Sequence, residues 1–158
     1  MDASSKELNM AEDIPIGKCI LSLDIGGKNL AVKPTETTVK KDFIMDMTQL
    51  FDYPTLTSGF IYIYDFPETR PVANCESSLE TSMKISCDEV STEPYGNGFI
   101  GNGLSTIGEQ KCWGVALPLD LANGKMKRML MVISSFKNET FNEQLVKSIK
   151  IEDLHCPE

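Results

Sequence analysis

Histidine is almost absent from this chain: His155 stands alone among 158 residues. Imidazole is the commonest metal ligand and the side chain best matched to proton transfer near neutral pH, so one copy leaves little room for histidine-based metal or acid–base chemistry. The five cysteines (Cys19, Cys75, Cys87, Cys112, Cys156) contain no pair at C-x-x-C spacing, which removes the usual zinc signature. Their odd number and lack of framework spacing predict reduced thiols. His155 and Cys156 read as part of a solvated tail, because a nucleophile–base pair needs a base held in fixed geometry. No metal site and no cofactor is expected.

Long apolar runs are missing as well. None approaches the ~20 residues that span a bilayer, and the first residues, M-D-A-S-S-K-E-L-N-M-A-E-D, are polar and acidic. The expectation is an intracellular, cytoplasmic protein. Cations are scarce too: 15 Lys and Arg face 23 Asp and Glu, for a net charge of −8. Such a chain is repelled by nucleic acid and anionic membranes unless its few cations cluster.

What is present suits a folded domain. Apolar residues at 41 % and charged residues at 24 % match globular proteins and argue against general disorder. The layout expected is a flexible arm over residues 1–15, one globular domain over 16–150 and a tail over 151–158. Cys19 to Ile25 alternates with one apolar face; with the Gly26-Gly27-Lys28 turn and a return strand to Lys33 it predicts a hairpin over 19–33. The polar, Thr-rich connector that follows has room for an edge strand at Thr37 to Lys40. Phe43, Met47, Leu50 and Phe51 fall at helical spacing, predicting a helix near 42–52 that Asp42 caps and Pro54 stops.

Residues 60–66 read as a central strand. Phe60, Tyr62, Tyr64 and Phe66 share one face and Ile61 and Ile63 the other, so both faces want cover. The alternation from Leu79 to Cys87 predicts a strand with one wet face. Glu93 to Gly108 reads as an irregular glycine-rich loop with Phe99 and Ile100 at its tip. Its G-x-G-x-x-G string, Gly96 to Gly101, lacks the preceding strand and following helix that dinucleotide binding needs.

Asn123-Gly124 predicts the turn of a second hairpin over 112–136. There Trp113, Val115, Leu117 and Leu119 oppose the small residues Cys112, Gly114 and Ala116. Thr140 to Glu143 is a capping-box pattern for a helix near 141–149. These pieces predict a β-rich α+β domain: a mostly antiparallel sheet or sandwich from two hairpins and further strands, with helices at 42–52 and 141–149.

One stretch carries a resemblance. L-S-L-D-I-G-G-K-N-L-A-V, Leu21 to Val32, is similar to the first phosphate loop of the actin-like sugar kinases, where D-I-G-G-T follows a strand. It also resembles the opening strand of the mitochondrial and poxviral Holliday-junction resolvases, which carry D-I-G-x-K-N-x-A on an RNase H-like fold. Either resemblance implies a metal- or phosphate-handling role for Asp24. The resolvase version implies a second carboxylate, Asp65 or Glu68, and an acidic pair on a late helix, where Glu152 and Asp153 stand. The match spans about a dozen residues; Lys28 replaces the kinase threonine, and the chain is roughly half a kinase in length.

With no acid, base and nucleophile converging in sequence, the first expectation is a non-enzymatic interaction or assembly protein that self-associates, in size and composition like a small viral structural protein of the matrix type. The alternative is an RNase H-like, metal-dependent nuclease using Asp24 with Asp65 or Glu68. Interaction candidates are Phe99 and Ile100 and the basic cluster Lys125, Lys127 and Arg128, the place through which nucleic acid or an anionic membrane would be touched.

Overall fold

Strand β6 (Thr57–Pro71) is the longest element and the axis of the molecule. The computed structural model describes residues 12–106 and 109–157. β6 lies between β5 (Ile44–Asp52) and β10 (Lys125–Ser135), antiparallel to both. Beyond β10 the sheet continues through β9 (Lys111–Leu119) and β8 (Gly98–Ser105) to β7 (Cys87–Tyr95). The outer side of β5 carries two short strands, β3 (Ala31–Val32) and β4 (Glu36–Val39). A separate three-stranded sheet orders β1 (Glu12–Ile16), β2 (Cys19–Leu23) and β11 (Leu154–His155). Helices α1 (Asn74–Met83) and α2 (Glu139–Ser148) complete the fold. All pairings are antiparallel among the described residues, so the expected β-rich α+β class is what forms.

Because successive strand residues point to opposite faces, the large sheet builds two cores. On one face Ile61, Ile63, Val115, Leu117, Leu130 and Val132 meet the small sheet (Ile14, Ile16, Leu21, Leu23) and α2 (Phe141, Leu145, Val146). On the other, Ala116, Met129, Met131 and Ile133 meet Cys75, Leu79 and Met83 of α1. The central role of β6, the hairpin of β9 and β10 with Asn123 and Gly124 at positive φ, and the edge strand β4 follow the sequence reading.

Six expectations are corrected, the last of them the state of the cysteines. Residues 44–52 are strand, although a helical stripe is present: the same residues also alternate, Thr48 and Leu50 inward on one face and Met45, Met47 and Phe51 on the other. Nine residues of pairing with β6 satisfy that alternation. Conversely, 74–83 is helix where a strand over 79–87 was expected. Cys75, Leu79 and Met83 fall at i, i+4 and i+8 and are fully buried, while Ile85, the odd member of the alternation, is 83 % exposed. Third, 19–33 is no hairpin. Gly26 N donates to Asp24 Oδ1 at 2.8 Å, Gly26 and Gly27 take φ of 61° and 73°, and the chain crosses to the large sheet, where β3 pairs with β5. Fourth, the glycine-rich segment is the β7–β8 hairpin.

Fifth, residues 12–16 and 151–156 belong to the fold. Residues 1–11 of the expected arm lie outside the described residues, but 12–16 form β1 with Ile14 and Ile16 buried. The expected tail 151–158 supplies β11, paired with β2, and Cys156 is joined to Cys19 by a disulfide. Cys87 and Cys112 form a second disulfide across β7 and β9, so the expectation of reduced thiols is overturned for four of the five cysteines. Cys75 alone is free; burial pushes its thiol up to about 11, leaving it chemically inert at neutral pH.

Two buried polar side chains lock the layers. Thr48 Oγ1 donates to Pro15 O at 2.9 Å and tethers β1 to β5. Asn142 of α2, fully buried, uses its whole hydrogen-bonding capacity: Oδ1 accepts from Ser134 Oγ (2.7 Å) and Phe136 N (2.8 Å), and Nδ2 donates to Lys111 O (2.9 Å) and Phe136 O (2.8 Å). Asn142→Ala removes all four and leaves the partners unpaired in the interior, so it should lower unfolding free energy by about 3 kcal/mol. Urea unfolding followed by circular dichroism measures this; a loss under about 1 kcal/mol contradicts the role given to Asn142.

Candidate interaction face

The α1-side face of the large sheet is covered on one half and open on the other, and the cause lies in the strands. Gly101 of β8 and Gly114 of β9 sit directly beneath α1. A Cβ on Gly114 would lie 2.9 Å from Leu79 Cδ1 and 3.0 Å from Met83 Sδ, and one on Gly101 3.1 Å from Met83 Sδ. Positions without a side chain let the helix come down onto β8 and β9; the bulky residues of β6 do not. The helix therefore rests mainly against β7, β8 and β9 and reaches Met126 of β10, and the β5–β6 half of the face is left partly exposed.

That half is aromatic. Phe60, Tyr62 and Tyr64, each half-buried, project from alternate positions of β6 and run up to the buried Phe66, with neighbouring ring centroids 6.1, 6.1 and 6.2 Å apart. Phe43 meets Tyr64 edge-on at 5.3 Å. On β5, Met45, Met47, Gln49 and Phe51 stand opposite Tyr64, Tyr62, Phe60 and Ser58. None of these eight paired side chains is charged. The rim carries both signs: Lys33 lies over the Phe51 ring at 4.9 Å, Arg70 over Phe66 at 4.6 Å, and Glu36 stands opposite Met47 on β4. Between α1 and β6 a groove of about 260 Å³ opens beside Phe43, Tyr64, Arg70 and Ser78.

The tyrosines titrate as half-buried phenols. Burial, and then the neighbouring Tyr64, push Tyr62 up to about 12; burial also raises Tyr64, offset in part by a hydrogen bond with Ser82.

The sequence-predicted sites are distributed differently. Asp24 is exposed and serves its own turn. Its loop lies at the start of β6, since Gly26 approaches Phe141, Phe141 packs on Phe136 at 5.4 Å, and Phe136 faces Gly59. Asp65 and Glu68 are exposed farther along β6; the six steps from Gly59 to Asp65 span roughly 20 Å. The structure does not bring these carboxylates to the ~4 Å ion spacing of a two-metal site, and no cluster of three or more His, Cys, Asp or Glu that could hold a metal forms among the described residues. Glu152 and Asp153 lie in a short 3-10 turn, Ile151–Asp153, instead of a late helix.

Lys127 Nζ donates to Pro67 O at 2.9 Å and Arg128 Nε to Asp120 Oδ2 at 2.8 Å, so two of the three basic candidates are engaged within the fold, beside exposed Lys125. Ile100 is buried in the core and Phe99 packs against the α1 layer, neither at a loop tip. The β5 half of the open face carries a competing helical stripe in the sequence; the alternation from Met45 to Phe51 is the signal that locates it.

Stability at high pH reports on this face. Below pH 10 Tyr62 is neutral folded and unfolded; between 10 and about 12 the unfolded chain ionises it while the fold keeps it neutral, so stability falls as pH rises. Tyr62→Phe should flatten that decline in chemical denaturation across this range, and an unchanged slope would contradict the burial of the phenol. The chain matches no protein-family model, no curated protein and no solved structure.

Proposed function

We propose that this protein is a non-enzymatic assembly module that self-associates through the open β5–β6 face. The observation that carries the reading is the uncharged, aromatic and methionine-rich character of that face in a chain of net charge −8. Two copies of an acidic protein repel unless they meet where carboxylates are absent. A two-fold contact places the same patch on both partners, and a patch with Lys33 and Glu36 at its rim tolerates that symmetry without forcing like charges together. Tyrosine, phenylalanine and methionine are the residues enriched at interface centres, and methionine adapts to irregular surfaces. This reading extends to a small structural protein of the viral matrix type, in which the dimer made by this contact would be the building block of a larger array.

Sedimentation velocity across a concentration series tests the proposal. The wild-type protein should pass from monomer to dimer or larger species as concentration rises. Tyr62→Glu, which puts a carboxylate at the centre of the face, should sediment as a monomer throughout with an unchanged far-ultraviolet spectrum. A wild-type chain that stays monomeric to the solubility limit contradicts the proposal, as does a variant that associates normally.

A further inference from the structure

Four of the five cysteines are paired, Cys19 with Cys156 and Cys87 with Cys112. Disulfides form and persist in oxidising surroundings such as the secretory lumen and the cell exterior, and are rare where thiols are kept reduced. That gives weight to a second feature of the chain. Of its eight asparagines only Asn138 heads the string N-x-[ST] without an intervening proline, in Asn138-Glu139-Thr140. The string is an acceptor for N-linked glycans on chains that enter a secretory route.

The fold presents this asparagine as an acceptor needs to be presented. Lys137 to Thr140 are exposed in the connection from β10 into α2. Asn138 has extended backbone (φ −91°, ψ 106°) and caps α2, its Oδ1 accepting from Phe141 N at 3.0 Å. Because Phe141 N is a donor, the bond identifies Oδ1 as the capping atom and leaves Nδ2 over. Nδ2 of Asn138 donates to no group among the described residues, whereas Nδ2 of Asn142, one turn on, is taken up by Lys111 O and Phe136 O. Beside Asn138 the surface opens into a hollow lined by Lys28, Asp52, Thr55 and Phe136, so the chain leaves room at the amide.

We propose that Asn138 carries an N-linked glycan, transferred from a polyprenyl diphosphate oligosaccharide. Nδ2 forms a bond to the anomeric carbon and the bond from that carbon to the diphosphate oxygen breaks. The lipid diphosphate leaves with the electron pair, and Nδ2 gives up one proton. The amide keeps its carbonyl, so the helix cap survives the modification. The site does not depend on self-association, because α2 packs on the face of the large sheet opposite the β5–β6 rings.

Two experiments test this. Protein isolated from its own cells should exceed its sequence mass by a whole glycan, and peptide:N-glycosidase should remove the excess and leave aspartate at 138 in the peptide map. Thiol labelling of the same unfolded protein should find one reactive cysteine of the five. In yeast, with a cleavable secretion leader added, the full chain should gain a glycan that Thr140→Ala and Asn138→Asp each abolish. Both variants should still be secreted folded, because alanine at 140 leaves the Asn138 cap in place and aspartate caps as well as asparagine. An unmodified Asn138 or five reactive thiols in the native protein overturns the proposal, as does a secreted wild type without a glycan or a glycan that survives either substitution.

Discussion

The close approach of α1 to Gly101 and Gly114 decides how the two faces of this sheet differ. Leu79 and Met83 come within about 3 Å of where a Cβ would stand, so the helix comes down closest where β8 and β9 offer bare backbone. β6 offers rings instead, and the helix stops beside them. From that choice follows the division of the molecule: a closed core on the β8–β9 side and an open aromatic ladder on the β5–β6 side. The opposite face shows no such division, because the small sheet and α2 together cover it from Leu50 to Leu119.

Closure of that second face depends on the first and last strands described, β1 and β11. β1 and β11 flank β2, and the Cys19–Cys156 disulfide joins residues 137 apart, so nearly the whole chain lies within one covalent loop. In the chain-entropy account, a crosslink of that span restricts the unfolded ensemble more than a short one does. Thr48 and Asn142 supply the directional part of the same closure: each is fully buried, and each joins a covering layer to the large sheet. Apolar burial alone would allow the layers to slide; satisfied buried hydrogen bonds fix their register.

Much of the fold was legible in the residues. The β9–β10 hairpin could be read from Asn123-Gly124, β6 from its two apolar faces, α2 from its helical spacing, and β4 from a Thr-rich run. The misreadings share a cause. In 44–52 and in 79–87 the apolar residues satisfy both the period of a strand and that of a helix, and only tertiary partners decide between them. For β5 the partner was β6; for α1 it was the stripe of small residues Cys112, Gly114 and Ala116, visible in the sequence as opposed to Trp113 and Val115 but silent about what would lie on it. The segment from Asp24 to Gly27 was misread for a different reason. Its glycines do make a turn, but Ile25 is buried in the core, and that carries the chain to the other sheet. The candidate face is legible only with β5 read as a strand, because Met45, Met47 and Phe51 join the β6 rings only through strand register.

Methionine oxidation followed by mass spectrometry tests the account most directly, because the chain carries its own internal standard. Met45 and Met47 lie on the open face, whereas Met83, Met126, Met129 and Met131 are fully buried. At low protein concentration, dilute peroxide should oxidise Met45 and Met47 far faster than those four, and the difference should shrink as concentration rises and the face is covered by a second copy. If Met45 and Met47 react as slowly as the buried four at every dilution, the face is not open; if they react quickly at every concentration, no second copy covers it.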